Sequence, residues 1–126
     1  PLLGNHELMM LGARDGPQGM DYWLRYGGGE TLKSYGGSLE CVPPEHWDFL
    51  EHGCRRFYEN RTHLFVHANL LHDRPLKEQP PWMLFWEFLS DPCAHVSGKR
   101  MICGHSAQKS GVPLNAGHTV CLDTWV

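Results

Sequence analysis

Three stretches of the chain place side chains that could hold a divalent ion or move a proton at the edge of an apolar run. Near the start, Gly4-Asn5-His6-Glu7 precedes the apolar residues Leu8 to Leu11. His67 closes "LFVH", and His105 closes "MICGH". An amide oxygen from Asn5 and neutral imidazoles from His67 and His105 would suit a borderline ion such as Mn²⁺, Fe²⁺ or Zn²⁺. His6 adjoins Asn5 and is expected on the same rim. A single histidine at a strand end is ordinarily a hydrogen-bonded, half-buried residue, so the metal reading depends on three positions meeting.

The elements that must position these groups follow from pattern and punctuation. Asn5 reads as an N-cap, with Glu7 and the apolar run giving a helix to about Arg14. "PLLG" before it reads as a strand running into Asn5 and His6. "RDGPQG" breaks the helix. "MDYWLRY" and "ETLKSY" read as short helices separated by Gly27-Gly28-Gly29, and "PPEHWDFLEHG" as another with proline at its start and glycine at its end. The character then changes. "RRFYENRTHLFVHA" predicts a hairpin-like strand pair, "WMLFWEFL" a buried helix, and "RMICGH" and "TVCLDT" two short strands. Helices early and strands late predict a layered α/β protein rather than a bundle. His67 and His105 then both lie where a buried strand gives way to a loop, a common place for sites in such folds.

Composition narrows the classes. The 126 residues carry 41% hydrophobic content, enough for one domain with a core. A net charge of −3 excludes a general nucleic-acid surface. No apolar run reaches the roughly 18 residues of a membrane span. The five cysteines include no C-x-x-C pair, which speaks against a zinc ribbon or disulfide framework and for reduced core thiols. Both ends read as internal to a longer chain, with strand-like residues at "PLLGNHE" and "TVCLDTWV". Residues 1–126 are therefore expected to be a single partial domain, with no linker marking a second.

Taken in order, "GNHE", "FVHA" and "GHS" resemble the metal-dependent phosphoprotein phosphatases of the calcineurin-like metallophosphoesterase superfamily. "GGGETLKSYG", "PPEHWDFL" and "CLDT" resemble the bacterial serine/threonine protein phosphatases within it. The resemblance covers nearly the whole chain and implies a layered β-sandwich flanked by helices, incomplete at both ends. It implies that Asn5, His67 and His105 are ligands of the second of two divalent ions. By the same resemblance His6 is the histidine that protonates the leaving group, and Asp123 mainly supports the structure. The family's upstream motifs, Gly-Asp-x-His-Gly and Gly-Asp-x-x-Asp-Arg-Gly, are not in this sequence, so the chain holds ligands mainly for one ion. Two ions about 3.5–4 Å apart can clamp a phosphoryl group and acidify a water between them.

The implied activity is hydrolysis of phosphoserine or phosphothreonine, with phosphorylated protein or a small phosphoester as partner, no nucleic acid and no membrane, and a cytoplasmic location. Two other readings stay open: a symmetrical dinucleoside tetraphosphate hydrolase, and a non-catalytic binding domain of the same fold. The sequence departs from the family at Asn69, where glycine is usual, and at Ser106, where threonine is usual. Glu87 and Phe88 follow Trp86 where relatives often carry a phosphate-binding arginine. Arg74 and Lys99 are possible substitutes that read more simply as solvated loop charges. His46, His52, His63, His72, His95 and His118 read as surface or structural, and Trp23, Trp47, Trp82 and Trp86 as core.

Overall fold

The computed structural model describes residues 1–125. It is a mixed α/β protein that divides into two compact units, Leu3–Arg55 and the residues from Arg56 onward. Among the described residues, no helix is long and apolar enough to cross a membrane.

The first unit is helical. Helix α1 (Asn5–Gly12) is capped by Gly4, not by Asn5. Gly4 is extended, and its N–H donates to the Glu7 carboxylate at 2.8 Å, half of a capping box. The expected Asn5 cap is thus corrected: a carboxylate three residues into the helix reaches back one residue further. Asn5 becomes the first helical residue and is buried. "PLLG" is not a strand of the sheet among the described residues. Leu3 N–H donates to Arg55 O at 2.8 Å and Arg55 N–H to Pro1 O at 3.0 Å, a short tie within this unit. Helices α2 (Pro17–Trp23), α3 (Gly29–Ser34) and α4 (Pro44–Asp48) follow, with prolines at the starts of α2 and α4. A β-carbon on Gly19 of α2 would lie 2.1 Å from the Gly12 carbonyl oxygen, so only glycine lets α2 cross the end of α1 this closely.

The second unit is a five-stranded mixed sheet with one short helix. Its strands are β1 (Phe57–Glu59), β2 (His63–Val66), β3 (Arg100–Cys103), β4 (Leu114–Asn115) and β5 (Thr119–Cys121). The order is β1-β2-β3-β5-β4, with the central β2, β3 and β5 parallel and each edge strand antiparallel. The hairpin expected from "RRFYENRTHLFVHA" is the β1–β2 pair. Register places Leu64 beside Met101 and Met101 beside Thr119, and all three are buried. The two-residue alternation along each strand thus gives one continuous core face. Helix α5 (Pro81–Phe85) adds Met83, Leu84 and Phe85 to that core. It stops well short of the helix expected from "WMLFWEFL", because the Trp86 and Glu87 N–H groups both turn back onto Trp82 O at 3.0 and 3.1 Å. Trp82 is 51% exposed, which corrects its expected place in the core, whereas Trp23 is 1% exposed and meets it.

The thiols divide between interior and surface. Cys103 and Cys121 are register partners on β3 and β5 and are both buried. Cys41 and Cys93 are exposed and Cys54 is half-buried, so the expectation of core thiols holds for only two of the five. Burial, reinforced by Cys121 alongside, pushes the Cys103 thiol up to about 12. In the unfolded chain the same thiol ionises at the ordinary value of 9.0. Between these values the unfolded state gives up a proton that the folded state keeps, so native stability falls as pH rises through that window. An aryl disulfide reagent at pH 8 is expected to label Cys41 and Cys93 in the native protein, and Cys103 and Cys121 only after denaturation. Rapid native labelling of Cys103 would contradict this burial.

Candidate functional site

The candidate residues lie in both units. In the first, a single tight turn at Gly4 delivers Asn5 and His6 side by side at the start of α1, Asn5 buried and His6 exposed. Consecutive residues of a helix project about 100° apart, so the two side chains leave the turn in different directions.

In the second unit the sheet positions both histidines. His67 immediately follows β2, and His105 lies two residues beyond β3. Because β2 and β3 are adjacent and parallel, both residues emerge at the same edge of the sheet. The Gly104 N–H donates to His67 O at 2.8 Å, which locks the two loops together at their roots. The ring atoms His67 Nε2 and His105 Nδ1 stand 3.2 Å apart. Two metal–nitrogen bonds of about 2.0–2.1 Å spanning this gap would meet at about 100°, between tetrahedral and octahedral angles. The donor set therefore fits one divalent ion. Among the described residues no group of three His, Cys, Asp or Glu side chains is assembled to hold one, so a complete coordination sphere needs donors beyond this pair.

Hydrogen bonding sets the tautomer of His105. Its Nε2 lies 3.2 Å from the Trp86 carbonyl oxygen, which can only accept, so Nε2 carries the proton and Nδ1 presents its lone pair toward His67. Phe88 stacks on the other side of the ring, with centroids 5.0 Å apart and planes 23° from parallel. The His105 backbone sits at φ 60°, a left-handed conformation that costs a non-glycine residue roughly 1–3 kcal/mol. That strain is held by the surrounding contacts.

The segment holding those contacts is residues 86–89, expected from sequence to continue the helix. After Phe85 the chain runs over both histidine loops as a strap. Trp86 O accepts from His105, Phe88 O accepts from Asn69 Nδ2 at 3.3 Å, and Leu89 N–H donates to Ser106 Oγ at 2.7 Å. Asn69 and Ser106 are thus both used to tie the strap down. A run as apolar as "WMLFWEFL" conceals this, because the bonds involve backbone atoms that sequence does not mark. Asp123 follows β5, the third parallel strand, and its carbonyl accepts from Gln108 N–H at 2.8 Å.

The two cations considered for phosphate are occupied elsewhere. Arg74 pairs with Asp73 at 3.0 Å, and that hydrogen bond holds the Asp73 carboxyl below its usual range. Lys99 Nζ pairs with Glu59 at 2.6 Å and with Asn60 O at 2.8 Å. His95 is buried between Ser97 Oγ at 2.7 Å and Arg74 O at 2.9 Å, a structural role. His52, His63 and His118 each bond a neighbouring side chain in their own segment.

Comparison with family models, with curated proteins and with solved structures gave no match.

Proposed function

We propose that the chain carries part of a metal-dependent phosphoesterase centre, on a metallophosphoesterase-type layered fold, whose substrate is phosphoserine or phosphothreonine. The observation that carries this reading is the facing pair His67 Nε2 and His105 Nδ1, 3.2 Å apart at the ends of adjacent parallel strands. The motif order "GNHE", "FVHA", "GHS" supports it from the sequence side. His67 and His105 would supply two nitrogens to one divalent ion (Mn²⁺, Fe²⁺ or Zn²⁺), while Asn5, on the first unit, keeps the donor role that the motif resemblance implies. Bound divalent ions supply charge stabilisation of the phosphoryl oxygens and an acidified water. The chain's own residues do the rest. His105 is held in one tautomer by Trp86 O, the strap of residues 86–89 keeps both imidazoles in place, and His6 gives a proton to the departing alkoxide.

The test is hydrolysis by the complete protein, with Mn²⁺ or Zn²⁺, of a phosphoserine peptide and of diadenosine tetraphosphate side by side. Metal-dependent release of phosphate from the peptide is expected. Exclusive turnover of the dinucleotide would transfer the activity to the tetraphosphate hydrolases. Tight metal binding with neither activity would leave a non-catalytic domain of the same fold.

A further inference from the structure

The helical unit contains a cavity of about 370 Å³, and His6 lies in its wall. That size is within the range of pockets that accept small organic groups, roughly 300–1,000 Å³. Its floor is apolar: Met10, the fully buried Trp23, and Leu50, with Phe49 standing 50% exposed at one side. The floor is also fixed in place. A β-carbon on Gly28 would lie 2.4 Å from the Trp23 ring, so glycine there lets the backbone back directly against the indole.

Tyr35, His46 and Glu7, three of the polar side chains lining this cavity, already have partners. Tyr35 Oη and His46 Nδ1 are 2.9 Å apart with their rings edge to face, and the Glu7 carboxylate accepts from Gly4 N–H. No lysine or arginine among the described residues lines the space, so it carries no fixed positive charge to attract a phosphate. A nucleobase would bring ring N–H and amino groups against Tyr35, His46 and Glu7, which are already paired, and burying such groups unbonded is costly. A hydrocarbon or phenyl side chain brings no polar group that needs a new partner.

We propose that this cavity seats a large apolar side chain of a phosphopeptide, within two residues of the phosphorylated serine or threonine. The inference rests on the role proposed above for His6. A proton donor must come within about 2.6–3.2 Å of the oxygen that departs. Neighbouring Cα atoms of a peptide are about 3.8 Å apart, so a residue next to that oxygen can drop its side chain into the cavity that His6 borders. The cavity thereby selects the sequence around the phosphorylated residue.

The test uses the complete protein with divalent metal and a set of alanine-rich phosphoserine peptides carrying one phenylalanine at each of the two positions on either side of the phosphoserine. One register is expected to raise kcat/KM by about 10- to 100-fold over the all-alanine peptide, the gain from removing such a side chain from water. The same peptide without phosphate should shift the Trp23 indole N–H resonance in protein with ¹⁵N-labelled tryptophan. Thr31→Trp, which fills the cavity from its exposed rim, should bring the phenylalanine-to-alanine ratio close to one. Phe49→Ala, at a half-exposed position, should lower that ratio and serves if Thr31→Trp does not fold. Equal rates for all peptides, with robust hydrolysis, would overturn the cavity proposal and leave the phosphatase reading intact. If no phosphopeptide is hydrolysed, the phosphatase reading falls. The Trp23 resonance then decides the cavity alone: movement with the phenylalanine peptide keeps it as an apolar side-chain site, and no movement removes it.

Discussion

Replacing His6 with asparagine in the complete protein is expected to leave metal content nearly unchanged while slowing hydrolysis of a phosphoserine peptide by roughly 10²–10⁴, the range for a lost general acid. The size of the defect should depend on the leaving group. A serine alkoxide is strongly basic and must be protonated as it departs, whereas nitrophenolate is a stable anion that leaves almost unaided. The loss on nitrophenyl phosphate should therefore be much smaller. Both rates would be measured at saturating metal, under conditions where chemistry limits turnover for both substrates. Structure is a minor confounder, because His6 is exposed and the start of α1 is capped by Gly4 and Glu7. Equal losses on the two substrates, with metal retained, would remove His6 from proton transfer and assign it to phosphate binding or positioning.

Replacing His67 with alanine should leave a different mark. His67 supplies one of two imidazole nitrogens that face each other at 3.2 Å, and its removal deletes a ligand rather than a proton donor. Affinity for Mn²⁺ or Zn²⁺ is expected to fall by more than the roughly 10–100-fold typical of losing a partner behind a ligand. Activity should return in part with excess metal. Phe88→Ala provides the milder comparison. It removes the ring stacked on His105 while keeping the Trp86 carbonyl bond, so metal binding should weaken less than in His67→Ala. Titration calorimetry on the three proteins reads both effects. Wild-type metal affinity in His67→Ala would exclude His67 as a ligand.

Much of the second unit could be read from residues alone. The short apolar, β-rich runs in "HLFV" and "RMIC" mark strands, and a histidine shortly past each marks a rim. The hairpin of β1 and β2 was legible for the same reason. What no stretch of sequence reveals is which strands are neighbours. That His67 and His105, 38 residues apart, meet at 3.2 Å follows from β2 and β3 pairing in parallel, a choice made by the whole sheet.

Two elements depart from the sequence expectation for different physical reasons. Asn5 has the right side chain for a cap, but Glu7 competed for the start of α1 and shifted the cap to Gly4, a contest between two local options that only the folded backbone decides. "WMLFWEFL" has the apolar content of a buried helix, yet only Pro81–Phe85 is helical. The rest gives up helical hydrogen bonds for three long-range ones, to Asn69, His105 and Ser106. Propensity is a sum over neighbours in the chain, whereas those three partners are neighbours only in space. The identity of the chemical groups and the edges on which they stand were thus written in the sequence. The tautomer of His105 and the strap that holds it were decided by tertiary contacts of His105, Asn69 and Ser106 side chains with backbone atoms of residues 86–89, which carry no residue-specific signal.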